Sequence, residues 1–174
     1  MKSIEEYMRS VPDFPKKGII FRDMTKALND PEGLRLVIDS LEDCIKDLDF
    51  NIIGGIESRG FIIGMPLAYN LRKAFLPVRK KGKLPCETIE ESYDLEYGSA
   101  TIEIDKTAIH PGDRVVLIDD IIATGGTMKA ACHLVERLGG TVAGILFLME
   151  LVDLKGREVL KDYPVFSVIK YEGE

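Results

Sequence analysis

The sequence predicts an α/β fold: a parallel twisted sheet flanked by helices on both faces. Two observations carry that prediction. Apolar runs at 52–56, 75–79, 115–118, 141–150 and 165–169 read as strands, and stretches of helical periodicity separate several of them. The run Val115-Val-Leu-Ile118 is apolar at every position, so both of its faces must be buried, as in a parallel sheet covered twice.

The elements follow in order. Ser3 to Val11 suggests a short amphipathic helix ended by Pro12, and Ile19-Ile20-Phe21 is a short apolar run bounded by Gly18 and Arg22. A helix begins after Asp30, with Asp30 as N-cap and Pro31 in the first position. Its residues Leu34, Val37, Ile38, Leu41, Ile45 and Leu48 recur at helical spacing and predict one buried face. Ile52 to Ile56 is a strand ending in the loop Glu57-Ser-Arg-Gly60, followed by a helix to about Leu71 and a strand from Phe75 to Arg79. Lys80 to Gly98 is long, polar and weakly patterned, the character of a lid or binding loop. Ser99 to Asp105 alternates as a half-exposed strand does. After the turn Pro111-Gly112-Asp113 comes the buried strand, and Gly126 opens a helix with Met128, Ala131, Leu134, Val135 and Leu138 on one side, stopped by Gly139-Gly140. Thr141 to Glu150 and Val165 to Ile169 complete the sheet.

The chain has 174 residues, 45% hydrophobic and 30% charged, with no repeat, low-complexity tract or linker, which predicts one domain over 1–174. Cys44, Cys86 and Cys132 are widely separated and form no C-x-x-C pair, which favours a reducing compartment over a disulfide or zinc framework. Cys44 and Cys132 fall in helical patterns as core residues; Cys86 lies in a basic loop and is given no catalytic role. No stretch approaches the roughly 20 apolar residues that span a bilayer, and the acidic start Met1-Lys-Ser-Ile-Glu-Glu is unlike a signal peptide. The expectation is a cytoplasmic protein without a membrane partner. A net charge of −6 argues against nucleic-acid binding. The basic run Val78-Arg-Lys-Lys-Gly-Lys83 stands against that charge and points to a small polyanion.

Chemistry concentrates at Val115–Thr127, a buried strand, two carboxylates, then Ala-Thr-Gly-Gly-Thr leading into a helix. Gly125 and Gly126 let the backbone turn tightly and expose consecutive N–H groups, while the helix N-terminus adds partial positive charge. Thr124 and Thr127 add hydroxyl donors. Asp119 and Asp120 would repel a bare phosphate but suit sugar hydroxyls, which donate to carboxylates, with Mg²⁺ nearby to balance charge. Neither a G-x-x-x-x-G-K-[ST] loop nor a G-x-G-x-x-G fingerprint is present. A bare helix cap followed by a glycine turn would leave two carboxylates against four buried apolar residues without ligands, which is costly.

These thirteen residues resemble the phosphoribosyl pyrophosphate motif of type I phosphoribosyltransferases. Five further segments resemble the adenine-using members of that family: Asp13-Phe-Pro-Lys-Lys-Gly-Ile-Ile-Phe-Arg-Asp23, Gly55-Ile-Glu-Ser-Arg-Gly-Phe61, Arg79-Lys-Lys-Gly-Lys-Leu-Pro85, Ser92-Tyr-Asp-Leu-Glu-Tyr-Gly98 and Leu154-Lys-Gly-Arg-Glu158. The resemblance implies the type I phosphoribosyltransferase fold, with a small N-terminal hood over 1–30 and a flexible lid over 80–105. It implies that Ala123, Thr124, Gly125, Gly126 and Thr127 bind the 5′-phosphate and that Asp119 and Asp120 face the ribose hydroxyls. The main chain of Ile20 and Arg22 would pair with adenine, its ring held between Phe21 and Leu154. Glu57, Ser58 and Arg59 would hold pyrophosphate, with Arg59 as a forked donor and a cis peptide before Ser58; Glu57 stands where some relatives carry Asp. Arg79, Lys80 and Lys83 begin the lid, and both lysines would stabilise the leaving group. Glu96 would handle the proton at the purine imidazole ring and Tyr97 would shield the site.

The implied reaction joins adenine to phosphoribosyl pyrophosphate and releases AMP and pyrophosphate, with Arg59, Glu96, Asp119 and Asp120 as its catalytic residues. Mg²⁺ is expected on the substrate phosphates with no direct protein ligand, and the chain is expected to form a homodimer. His110 and His133 lie outside every motif and are expected to be structural or surface residues. Two alternatives use the same fold. A 6-oxopurine enzyme would want a donor, usually Lys, for O6; a non-catalytic regulator would want a basic face for nucleic acid, whereas this chain is acidic and keeps the lid segment.

Overall fold

The apolar runs of the sequence are joined by backbone hydrogen bonds into one sheet, and the N-terminal segment forms a small hairpin beside it. The computed structural model describes residues 2–95 and 97–173. At the N-terminus the helix is shorter than expected: α1 covers Ile4–Tyr7 and the chain then extends as β1, Arg9–Pro12. β1 pairs antiparallel with β2, Ile20–Asp23, in the register Val11↔Phe21 and Ser10↔Arg22. The expected helix to Val11 is therefore corrected: the available β partner claims Ser10 and Val11, and a β-branched valine fits that pleat. A one-turn helix, α2 (Thr25–Leu28), links this hood to α3 (Pro31–Ile45).

α3 starts where its cap predicts. The Asp30 carboxylate accepts from the backbone N–H of Glu32 at 2.9 Å and of Gly33 at 3.1 Å, satisfying two otherwise orphaned donors. Val37, Ile38, Leu41 and Ile45 are buried as expected, whereas Leu34 is 38% exposed. The buried stripe begins at Gly33 instead, because α2 passes so close that only a glycine fits.

The seven-stranded sheet runs in the order β5-β6-β4-β3-β7-β8-β9, with β3 Ile52–Ile56, β4 Ala74–Lys80, β5 Thr88–Asp94, β6 Ser99–Asp105, β7 Arg114–Ile122, β8 Thr141–Leu151 and β9 Val165–Tyr171. The five strands from β4 to β9 in that order are parallel; β6 and β5 add to the β4 edge antiparallel. Alternation along the strands divides the core. Val115 and Leu117 of β7 face α5 (Gly126–Arg137), packing with Leu134 and Val135. Val116 and Ile118 face α3 and α4 (Arg59–Leu71), packing with Leu41 and Leu67. Both faces are covered, as a parallel sheet requires.

The segment 80–95 is more regular than its composition suggests. β5 occupies Thr88–Asp94 and pairs with β6 through seven residues, so much of the expected lid is an antiparallel hairpin. Ile89, Glu91 and Tyr93 point inward with polar residues between them; the glutamate at an inward position conceals the alternation.

Candidate active site

In parallel sheets the loops at the carboxyl ends of neighbouring strands converge, and β3 and β7 are neighbours. The β3–α4 loop thus brings Glu57, Ser58 and Arg59 beside the β7–α5 loop, and Lys80 arrives from the end of β4. A cavity of about 210 Å³ is lined by Arg59, Asp119, Asp120 and the whole of Ala123–Thr127. A second, of about 240 Å³, is bounded by Glu57, Ser58, Arg59, Lys80, Asp119 and Asp120. Arg59, Asp119 and Asp120 border both, so the two cavities form one cleft with a polar divide.

The phosphate loop has the expected geometry. Gly125 adopts φ of 84°, a left-handed conformation that a side chain disfavours, and caps α5. Its twelve-residue helix directs an N-terminus at the cavity. The loop is buttressed from behind by Gly156, the first residue of α6 (Gly156–Val159). A Cβ on Gly156 would run into the Ala123 carbonyl oxygen and the Ile122 side chain. Arg157 fixes that buttress: its guanidinium forks onto the buried Glu150 at 2.7 and 2.8 Å and also donates to the Val165 carbonyl at 2.7 Å. The Ser167 hydroxyl donates to the same carboxylate at 2.5 Å.

Both acids lie on β7, which continues through them to Ile122. Asp120 is buried and its carboxylate lies 2.7 Å from Arg59 Nε. The Asp120 N–H donates to Asp119 at 2.9 Å. Burial and the charge of Asp120 push the Asp119 carboxyl well above the usual carboxylate range. A carboxyl so placed is short of donors, a condition that sugar hydroxyls or a cation would relieve.

Glu57 lines the second cavity and organises its wall. Its carboxylate accepts from the Lys80 N–H at 2.9 Å and pairs with Arg79 Nε at 3.3 Å. Burial pushes its carboxyl up, but Lys80, Arg79 and Lys83 together hold it below the usual range. Arg79 also donates to the Lys83 carbonyl at 3.1 Å, so its fork is engaged within the protein. The Glu57–Ser58 peptide is cis, in agreement with the resemblance.

The hood approaches this cleft through Phe21, whose ring lies 5.7 Å from the Arg59 guanidinium. Phe14 meets the same ring edge-on at 5.4 Å. Arg22 stacks on Tyr171 at 4.0 Å and donates to the Ser10 hydroxyl at 2.5 Å, tying the hood to β9. Ile20 is 37% exposed and Leu154 44%, Leu154 ending a 3-10 turn just before Gly156. Ile20, Phe21, Arg22, Arg79, Lys83, Tyr97 and Leu154 do not line the two cavities. Tyr97 is exposed, and Glu96 lies outside the described residues.

Sequence reasoning passed over the residues that hold the β5–β6 hairpin. Glu91 on β5 lies 3.1 Å from His133 Nδ1 and 3.0 Å from Arg137 Nη1, both on α5, and Arg137 donates to the Glu90 carbonyl at 2.6 Å. His133 is thus structural, as expected, and α5 grips the hairpin as well as the phosphate loop. Cys132 is buried and Cys44 half-buried, while Cys86 is exposed. Desolvation and Asp105 push the Cys86 thiol up, the opposite of an activated nucleophile.

Residues 24–173 match the phosphoribosyl transferase domain. An adenine phosphoribosyltransferase of Lachnoclostridium phytofermentans is 61% identical over the full length of both chains. The crystal structure of adenine phosphoribosyltransferase from Thermoanaerobacter pseudethanolicus superposes with a TM-score of 0.94 at 48% identity, covering 97% of this chain and 100% of that one. The Saccharomyces cerevisiae enzyme, crystallised with an imino-altritol bisphosphate and adenine, gives a TM-score of 0.89 at 42% identity, covering 95% and 96%.

Proposed function

This chain belongs to the phosphoribosyltransferase family, in its adenine-using branch, and from that membership we infer that it transfers the ribose 5-phosphate of phosphoribosyl pyrophosphate to adenine. The products are AMP and pyrophosphate, a purine-salvage reaction. The observation that carries the inference in this molecule is the divided cleft: a glycine-rich helix N-terminus on one side, a basic wall on the other, and two acids with Arg59 between them.

The roles follow from chemistry. Ala123–Thr127 would hold the 5′-phosphate through backbone N–H groups and the Thr124 and Thr127 hydroxyls. Asp119 and Asp120 would accept from the ribose hydroxyls. Breaking the C1′–O bond leaves cationic character on the ribose and negative charge on the leaving pyrophosphate, so catalysis is mainly positioning and electrostatics. Arg59, Lys80 and Lys83 would stabilise the leaving group, with the Ser58 hydroxyl and amide beside them. Glu57 and Arg79, paired with each other, would shape that wall from behind. Phe21 and Leu154 would sandwich adenine against the main chain of Ile20 and Arg22. Glu96 would take the purine proton under a lid completed by Tyr97.

Mg²⁺ belongs to the proposal, riding mainly on substrate phosphates. Asp119 and Asp120 fit such an arrangement, since hard oxygen donors suit the ion, which when bound would offset pyrophosphate charge. A homodimer is proposed on the evidence of α4, where Ile62, Met65 and Tyr69 at one-turn intervals leave an apolar stripe exposed, Tyr69 by 84%. The free thiols Cys44, Cys86 and Cys132 suit the reducing cytoplasm. Competition among adenine, hypoxanthine, guanine and orotate tests the base. Adenine should be preferred; preference for a 6-oxopurine would overturn the choice.

A further inference from the structure

One charged side chain of β6, Glu103, points into the protein interior, where backbone and hydroxyl donors hold its carboxylate. Glu103 is 3% exposed. Its Oε1 accepts from the backbone N–H groups of Lys83 and Leu84, both at 3.0 Å, and its Oε2 accepts from the Thr88 hydroxyl at 3.2 Å. Burial pushes the carboxyl up, but these donors and the Gly82 N–H outweigh it and hold it below the usual range. A buried carboxylate is tolerated only when donors are fixed around it. The bonds that satisfy Glu103 therefore fix the turn at 82–84 between β4 and β5, where Gly82 supplies φ of 83°.

That turn is linked to the pyrophosphate wall. The Lys83 carbonyl accepts from Arg79 at 3.1 Å, Arg79 pairs with Glu57 at 3.3 Å, and Glu57 accepts from the Lys80 N–H at 2.9 Å. Two carboxylates, Glu103 and Glu57, thus bracket a short basic segment and hold its backbone from opposite sides. Neither carboxylate leaves that backbone free to swing.

We propose that Glu103 is a positioning residue for pyrophosphate: from inside the hairpin it fixes the turn that presents Lys80 and Lys83 to the leaving group, touching no substrate. The proposal rests on the functional reading above and adds a residue outside every sequence motif. A residue that merely stabilised the fold would weaken all ligands alike. One that orients the basic segment weakens pyrophosphate and spares ligands held by the phosphate loop.

Titration calorimetry of the full chain with Mg²⁺-pyrophosphate and, separately, with AMP separates the two. In Glu103→Gln the pyrophosphate Kd should rise roughly 10-fold, because the amide loses the charge and one of the two acceptor oxygens that the Gly82, Lys83 and Leu84 N–H groups and the Thr88 hydroxyl share. The AMP Kd should stay within about two-fold, since none of the turn residues lines the cavity of the phosphate loop. Equal weakening of both ligands, or of neither, overturns the proposal. Should the glutamine variant fail to fold, Thr88→Val removes a single donor and should give the same split at roughly 3-fold. In a Lys80→Ala/Lys83→Ala background Glu103→Gln should add little; full additivity also overturns it. Failure of the wild-type chain to bind either ligand would instead refute the functional reading, and with it this inference.

Discussion

Arg59 Nε and Asp120 Oδ2 stand 2.7 Å apart, so a cation proposed for pyrophosphate and an acid proposed for ribose are bound to each other across the divide of the cleft. The pair couples the two halves of the reaction: a ligand that recruits one partner alters the environment of the other. Arg59 also faces Phe21 at 5.7 Å, which extends the link to the segment proposed to hold the base. Arg59→Ala should lower kcat/KM for phosphoribosyl pyrophosphate by roughly 10²–10³-fold, the scale for losing a fixed charge donor at a developing anion. Arg59→Lys should recover only part of it, because a point charge cannot reproduce the fork. Steady-state kinetics read both; a loss of less than a few-fold in the alanine variant would remove Arg59 from the site.

Asp119 has the opposite electrostatic condition to Glu57 and Glu103, whose carboxyls are held below the usual range. Burial, then the charge of Asp120, raises its folded-state pKa above the unfolded value, so its ionisation opposes folding as pH rises from the ordinary aspartate range through the raised value. Hydroxyl donors or Mg²⁺ would favour the ionised form and lower that pKa. Ligand binding at mildly acidic pH should therefore release protons. Calorimetry in buffers of different ionisation enthalpy measures the release. Asp119→Asn should abolish it, and proton uptake by the wild type would contradict this assignment.

Gly156 tests the buttress. Gly156→Ala puts a methyl against the Ala123 carbonyl, which is backbone and has little room to yield. Overpacking of this kind destabilises by about 1–3 kcal/mol. Displacement of the phosphate loop should also raise KM for phosphoribosyl pyrophosphate. Thermal unfolding and kinetics should move together; an unchanged KM would show that the loop does not depend on its backing.

Glu96 carries the proposed proton transfer. Glu96→Gln should lower kcat by roughly 10²–10⁴-fold, the range for a general acid–base, with the AMP Kd little changed. Turnover within a few-fold of wild type would exclude it.

Much of this architecture is legible in the chain. Asp30-Pro31 marks the start of α3, and the unbroken apolar run at Val115 marks a strand buried on both faces. The phosphate loop is legible for the same reason: glycine spacing and helix entry are local features. What escapes notice depends on partners distant in sequence. Val11 reads as helical until β2 is there to pair with it, and Leu34 reads as buried because periodicity cannot reveal where α2 crosses α3. β5 is hidden because Glu91, an inward-facing acid, is satisfied by His133 and Arg137 more than forty residues away. Glu103 and Glu150 are ordinary charged residues in the sequence; only burial distinguishes them. The base-recognition residues Ile20 and Phe21 owe their assignment to resemblance, since a short apolar run alone is an edge strand.

The central claim is that this cleft joins adenine to a ribose phosphate as pyrophosphate leaves. Formation of AMP from adenine and phosphoribosyl pyrophosphate, followed by chromatography with and without Mg²⁺, tests it most directly. AMP and pyrophosphate should appear in equal amounts, only when Mg²⁺ is present. A folded protein that yields no AMP from adenine with Mg²⁺ present would contradict the account.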